Sequence, residues 1–380
     1  MEFRLDADQR AVQKGARELL ASLFPRERLR AVVDGDRVAG GTADEKQGAS
    51  DAGVRSGEPS PRFLATLWRE LGAAGFFSLR LPEKVGGAGL GLLEVVLVLE
   101  EAGRVLLPGP LVASQLAAGH VAGAGEGATV VTAVERHGTI EYLGEAQAVL
   151  FIDDPAPHVL ALPRGEGPHL LGARPVRSVD PTTPLHTLAD ARGSQAAGLP
   201  PGVGTASGRA PVTDRTRTRT RTPARTRTAI APGDAGRLYR EAALLTAAQQ
   251  LGSSLRTMEM TIAHVRVREQ FGRPIGAFQA VQHLCAQMLV RTEIVRSAVY
   301  AAALTITACD IAAAKVLANE AAVRNARDAV QLHGGLGFTW DADVHLHLKR
   351  AWLRAEQWGR TAQAEEELAA ELPCDSQGCV

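Results

Sequence analysis

The sequence predicts a mainly α protein with a small β domain, and three observations carry that expectation. From Gly233 to Leu372 apolar residues recur at helical spacing almost without interruption. Between about residue 123 and Arg164 the pattern changes to short apolar runs separated by Gly, Pro and Asp, which read as strands. Aromatic residues make up only 4% of the 380-residue chain, while alanine and leucine dominate, which favours closely packed helices. The implied order is an N-terminal helical domain over 1–122, a middle β domain over 123–200, an Arg/Thr-rich linker over 201–230, a C-terminal helical bundle over 231–372 and a tail over 373–380.

Taken in order, Asp6 and Gln9 predict a capping box for a first helix, with Val12, Ala16, Leu19, Leu20 and Leu23 on one face. Residues 34–58 have no apolar period and read as a mobile insertion. Ser60-Pro61 opens a helix buried through Leu64, Leu67, Trp68 and Leu71, and Gly72 is expected to end it. Leu79 to Leu90 reads as a compact Gly/Pro turn. The next helix carries Leu92, Val95, Val96, Leu99 and Ala102, with Glu94, Glu100 and Glu101 expected off the buried stripe. Pro108 and Pro110 stop it, and Leu111 to Val121 is again helical.

Val130-Val131, Ile140–Tyr142, Val149–Ile152 and Val159–Leu162 are the expected strands of a small antiparallel sheet or barrel. The signal fades after Arg164. Six arginines from Arg215 to Arg227 alternate mainly with threonine, and no aromatic residue interleaves with them. That composition reads as a linker rather than a polyanion-binding arm. In the bundle, Leu238 to Leu251 and Leu255 to Val265 make two stripes. Val281, Leu284, Cys285, Met288 and Leu289 make a third. Val344 to Leu353 starts the last long helix.

Charge and cysteine content narrow the function classes. Lys+Arg and Asp+Glu both number 42, so no global charge points to nucleic acid or membrane. No apolar run reaches the length of a membrane span. The start Met1-Glu-Phe-Arg-Leu-Asp lacks a signal-peptide pattern, so a cytoplasmic protein is expected. Cys285 and Cys309 read as small core residues; Cys374 and Cys379 fall in the tail, and no disulfide is expected.

Two stretches carry the chemistry. Arg268-Glu-Gln270-Phe271-Gly272-Arg-Pro274-Ile-Gly276-Ala-Phe278-Gln279 joins a charged turn to a helix start, and Gln331-Leu-His333-Gly334-Gly335-Leu-Gly337-Phe338 follows about fifty residues on. Together they resemble the "RxxFG…FQ" and "QxxGGxG(F/Y)" signatures of the acyl-CoA dehydrogenase family. Leu81-Pro82-Glu83-Lys-Val85-Gly86-Gly87 resembles its "PExxGG" loop. Either C-terminal stretch alone is weak; the pair in register is specific. The resemblance implies an acyl-CoA dehydrogenase-like fold: N-terminal helical domain, middle β-barrel, C-terminal four-helix bundle.

It also implies FAD between the β domain and the bundle, with a neighbouring subunit at the diphosphate and adenine. Arg268 then matches a diphosphate-pairing arginine, Gln270 and Phe271 lie beside the cofactor, and Gln279 lies near the adenine side. Gln331 and Gly335 match the partner-subunit contact, where glycine lets backbone N–H groups approach phosphate. The implied reaction is α,β-dehydrogenation of an acyl-CoA thioester: a carboxylate takes the α-proton and the flavin takes a hydride. Many members carry that carboxylate in an "EGT" motif, which here aligns with Trp358-Gly359-Arg360. Others carry it on the first bundle helix, where Glu241 is one position off register and Ala242 is better aligned. Glu356 is a weaker alternative. The β domain has no recognisable copy of the family's "TGxKxWITN"-like segment; Thr139–Gly144 stands in its place.

Three readings follow from the resemblance. One is an enzyme using Glu241 or an unrecognised base. Another is a partner subunit lending Arg268 and Gln331 to a FAD site completed by a related chain, as in two-gene heteromers of this family, some of which act on sterol side-chain thioesters. The third is a flavin-free helical scaffold. The implied partners are an acyl-CoA substrate, a related or identical subunit in a tetramer, and electron-transfer flavoprotein as acceptor.

Overall fold

The structure is a computed structural model that describes residues 5–34, 61–134, 138–152, 157–188, 227–231 and 234–371. Helix α1 spans Ala7–Leu23 and α2 spans Arg26–Asp34. The capping box is present: Asp6 Oδ1 accepts from Gln9 N at 2.7 Å, and Gln9 Oε1 accepts from Asp6 N at 3.1 Å. Helix α3, Pro61–Ala73, buries Leu64, Leu67, Trp68 and Leu71 completely. Gly72 lies inside its last turn rather than beyond it. A Cβ there would sit 2.1 Å from the Glu126 backbone, so close packing, not helix termination, requires glycine. Gly86 (φ 81°) and Gly89 (φ 63°) then turn the chain through the expected compact loop.

Helix α4, Leu92–Arg104, and α5, Leu111–Ala117, complete the N-terminal domain. The second is shorter than the predicted run to Val121. Glu100 and Glu101, expected off the stripe, are both buried. Helix α4 is covered on more than one side, so an amphipathic reading with a single wet face fails. Tyr300 Oη and Gln13 Nε2 donate to Glu100 at 2.7 and 3.1 Å. Arg17 grips Glu101 through two bonds of 2.9 and 2.7 Å.

The β domain contains β1 (Val131–Val134), β2 (Thr139–Glu141), β3 (Ala148–Phe151), β4 (His158–Ala161), a short helix α6 (Gly167–Leu170), β5 (Ala173–Val176), β6 (Leu185–Leu188) and β7 (Arg227–Ala229). One sheet has the order β1-β3-β4-β7 and the other β2-β6-β5. The β1–β3 pair is parallel (Val131↔Ala148), so the domain is mixed rather than wholly antiparallel. Strands β5 and β6 lie beyond the point where the sequence signal fades. Strand β5 is largely exposed and includes Arg174 and Pro175, so it shows no apolar alternation. Strand β7 comes from the end of the Arg/Thr tract and pairs with β4 (Val159↔Thr228), so Arg227–Ala229, inside the expected linker, form a strand. Arg215 to Arg225, the insertion from residue 35 onward, Cys374 and Cys379 lie outside the described residues.

The bundle begins with α7, Ala235–Val267, whose 33 residues merge the two predicted stripes into one helix. It continues with α8 (Gln279–Thr305), α9 (Ala308–His333), α10 (Val344–Glu356) and α11 (Thr361–Ala370). Helices α4 and α7 touch at backbone distance. A Cβ on Gly252 would sit 1.9 Å from Glu100 O, and one on Gly103 would sit 2.1 Å from Gln249 O. Along α8, Met288 is buried, but Leu289 is 46% exposed beside exposed Val290 and Ile294. The third stripe thus splits between core and surface. Cys309, in the first turn of α9, is exposed and is not a core residue.

Buried ion pairs fasten the β domain to α10. Arg350 pairs with Asp180 and also donates to Thr182 Oγ1. Arg354, 1% exposed, donates from Nη1 to Glu141 Oε2 at 2.9 Å and to Gln357 Oε1 at 2.6 Å.

Candidate active site and cofactor clamp

The two sequence stretches meet at one end of the bundle. Helix α7 stops at Arg268, whose extended backbone (φ −74°, ψ 120°) leads into a two-strand hairpin, β8 (Glu269–Gln270) and β9 (Arg273–Pro274). Phe271 (φ 54°) and Gly272 (φ 75°) make its tight turn. Helix α8 then starts at Gln279, and Phe278 before it supplies no side-chain cap, so first-turn N–H groups stay open to a ligand. Arg268, Gln270 and Gln279 are exposed, and Phe271 is 92% exposed. Arg273 lies 4.3 Å over the Phe278 ring and stiffens the turn.

Helix α9 ends at His333, and Gly334 (φ 59°) turns the chain into a 3-10 segment, Gly334–Phe338. Gln331 and Gly335 are both exposed. A Cβ on Gly335 would meet nothing within 4 Å, so the backbone there faces open space. His264 and His333 join the two stretches: their rings stack at 4.2 Å and 18°. Sequence reasoning missed this pair. The only signal was position, one histidine a helical turn before Arg268 and the other two residues after Gln331. Burial, then His333 and Arg268, push the His264 pKa below its ordinary value, which favours the neutral ring. Around the same end Val267, Leu336 and Phe338 are exposed at 77%, 52% and 78%, an apolar surface beside the polar groups.

The candidate bases stand elsewhere. Glu241, in the second turn of α7, is 4% exposed rather than solvated. Both its oxygens are engaged. Arg80 Nη1 donates to Oε2 at 2.7 Å, and Arg237 Nη1 donates to Oε1 at 2.9 Å. Arg80 comes from the loop after α3, which no local reading of α7 could supply. Trp358, at the position of the family's glutamate, is buried with φ 53° and packs edge-on against Tyr239 at 6.2 Å. Glu356 is exposed and pairs with Arg360 at 2.9 Å. None of the three positions offers a free buried carboxylate. In the segment that replaces "TGxKxWITN", Tyr142 is fully buried and donates to Thr182 O at 2.5 Å. That side chain is committed to the β-domain core.

Comparison with known proteins decides the family. The profile described as "Acyl-CoA dehydrogenase, C-terminal domain" matches residues 236–361, and "Acyl-CoA dehydrogenase, N-terminal domain" matches 46–129. The acyl-CoA dehydrogenase IpdE2 of Mycobacterium tuberculosis is 32% identical over 80% of this chain and 86% of its own length. The chain belongs to the acyl-CoA dehydrogenase family. Its Mycolicibacterium smegmatis relative of the same name is 30% identical over 86% of this chain and 94% of that protein. Among solved structures, the ChsE4–ChsE5 complex from Mycobacterium tuberculosis superposes with a TM-score of 0.71 at 23% identity, covering 98% of this chain and all of that one. A Tcur3481–Tcur3483 steroid acyl-CoA dehydrogenase variant gives 0.70 at 22%, covering 96% and 97%. These two establish the fold.

As an acyl-CoA dehydrogenase the chain is of an oxidoreductase class acting on CH–CH bonds, and the family's cofactor is FAD. The exposed end of the bundle fits such a group. It offers a forked cation at Arg268, open N–H groups at the start of α8 and an unobstructed backbone at Gly335. Among the described residues no helix is long and apolar enough to cross a membrane, and no group of three or more His, Cys, Asp or Glu side chains could hold a metal.

Proposed function

We propose that the chain serves FAD-dependent α,β-dehydrogenation of an acyl-CoA thioester as one subunit of a hetero-oligomer, with a related chain supplying the base. The observation that carries this reading is the contrast between the two ends of the site. The residues proposed for the clamp are exposed at the surface, while the base position holds buried Trp358 and Glu241 is held by two arginines. Arg268 would hold the diphosphate, with the backbone at Gly335 beside it. Gln279 and Gln331 would lie on the adenine side, and Gln270 and Phe271 beside the cofactor. When bound, the flavin supplies the hydride acceptor for the CH–CH oxidation. The exposed apolar residues Val267, Phe271, Leu336 and Phe338 would be covered by the related subunit.

The steroid acyl-CoA dehydrogenase and the two-component complex among the structural neighbours support a paired assembly and a bulky lipid thioester. In this reading electron-transfer flavoprotein would be the acceptor. The test is to purify the chain alone and co-expressed with a related acyl-CoA dehydrogenase chain. Flavin absorbance near 450 nm and turnover of an acyl-CoA panel are then compared. Flavin retention and turnover only in the co-expressed form are expected, both lowered by Arg268→Gln. Turnover by the chain alone would overturn the division of labour.

A further inference from the structure

Where the N-terminal helices meet the bundle there is a cavity of about 400 Å³, within the size range of small-molecule sites. It shares no lining residue with the proposed clamp or with the base candidates Glu241, Glu356 and Trp358. Leu20, Ala21, Phe24 and Leu29 line it from the α1–α2 segment, Val105 from the end of α4 and Met260 from α7. The rest of the wall is charged, and its ion pairs can be followed one by one. Arg17 spends Nε and Nη2 on Glu101 at 2.9 and 2.7 Å, and Arg104 Nε adds a third contact to that carboxylate at 3.2 Å. Glu259 gives both oxygens to Arg104 Nη2 at 2.7 Å. Asp343 holds Arg26 and Arg30, and Arg30 also reaches Asp34 at 4.0 Å. Burial lowers the His347 pKa to about 3, so that ring adds no charge. Five arginines (17, 26, 30, 104 and 256) thus face four carboxylates (34, 101, 259 and 343), an excess of one cation. The hydrogen bonds say which one. Among the described residues Arg256 has a single ion pair, to Glu259 Oε2 at 3.6 Å, too long for a hydrogen bond, and Glu259 is already held by Arg104. Its guanidinium is 44% exposed at the cavity wall.

We propose that this cavity binds a free carboxylic acid with an apolar body, its carboxylate on Arg256 and its body against Leu20, Phe24 and Met260. One planar fork offers paired N–H donors to one planar carboxylate, and one excess cation balances one anion. A phosphate dianion would need a second uncommitted cation, and the ion pairs leave none. The body takes apolar wall out of water, which a short acid cannot do. Because the walls come from α1, α2, α4 and α7, an occupied cavity ties the N-terminal domain to the bundle.

The probe is decanoate, titrated calorimetrically into the full chain, with decanol and butyrate as partial mimics. Saturable decanoate binding is expected, together with a rise in melting temperature. Decanol has the body without the charge, and butyrate has the charge with little body. Each should bind at least about tenfold more weakly than decanoate. Arg256→Gln should weaken decanoate at least about tenfold and leave decanol unchanged. Arg256→Lys, which keeps the charge and loses the fork, should fall between wild type and Arg256→Gln. Met260→Trp, which fills the apolar wall, should weaken decanoate and decanol alike. Arg256 is half-exposed with only a long ion pair, so its replacement leaves the fold intact, and melting without ligand checks this. Equal decanoate affinity in wild type and Arg256→Gln overturns the site. So does decanol binding as tightly as decanoate, or no saturable binding of decanoate. Decanoate lodged in an acyl channel elsewhere in the chain would keep its affinity in both the Arg256→Gln and Met260→Trp variants, and that result also overturns the proposal. The titration needs neither flavin nor turnover, so its failure leaves the subunit assignment standing.

Discussion

Replacing Arg354 with leucine is expected to destabilise the protein by about 3–5 kcal/mol, the cost of leaving a buried ion without its partner. Arg354 and Glu141 have side chains only 1% and 6% exposed, and Nη1 stands 2.9 Å from Oε2. At that separation the attraction is about 6 kcal/mol for an effective dielectric of about 20, set against the desolvation of both groups. Without the guanidinium, Glu141 Oε2 keeps only the Gln357 Nε2 contact at 3.4 Å. The carboxylate must then be protonated or exposed, and either route loosens the β domain from α10. The assay is urea unfolding of Arg354→Leu, Glu141→Leu and the double variant. The double variant should recover at least about 2 kcal/mol of the summed losses, because an apolar pair carries no unpaired charge. A loss below about 1 kcal/mol in Arg354→Leu, or strict additivity in the cycle, would show that the pair does not hold the domains together.

The remaining predictions concern charge and packing inside the helical domains. Burial, only partly countered by the Tyr300 hydroxyl, raises the Glu100 pKa to about 7 from an ordinary 4.5. The folded state therefore keeps a proton that the unfolded chain gives up. Its stabilising contribution is complete below about 4.5 and is lost as pH rises through about 7. Glu100→Gln should flatten that part of the stability–pH curve, by about 3 kcal/mol at most, read from melts at pH 5 to 8. His347 is the opposite case: burial lowers it from 6.5 to about 3, so stability is present above 6.5 and falls as pH drops toward 3. A slope of up to about 1.4 kcal/mol per pH unit is expected, shallower in His347→Gln, by the same melts. Gly252→Ala should cost about 3 kcal/mol, since its Cβ would collide with Glu100 O, whereas Gly335→Ala, in open space, should change stability by less than about 0.5 kcal/mol. Thermal denaturation of the two variants side by side checks both, and equal losses would contradict the packing argument.

Local signals carried much of the fold. The Asp6–Gln9 box, the stripe Leu64 to Leu71 and the Gly86–Gly89 turn depend on residues within one or two helical turns of each other, and the structure contains all three. Where the reading failed, the missing information was distant in the chain. Glu100 looks solvated until Tyr300 arrives from α8, 200 positions later. Strand β7 has no apolar alternation of its own and exists because β4 offers it a ladder. Leu289 belongs to an apolar stripe by spacing but stands at the surface of α8.

The site divides in the same way. The sequence alone determined that Arg268 to Gln279 and Gln331 to Phe338 end one helix, start another and leave glycines at the turns, because caps and backbone conformation are local properties. It also determined that the family's glutamate is absent at Trp358. Only the tertiary structure decided that the two stretches share one end of the bundle through stacked His264 and His333. It alone decided, too, that Glu241 is an anchor for arginines. A helix position sets the direction of a side chain but not its partner, and Arg80 lies 161 positions away in sequence.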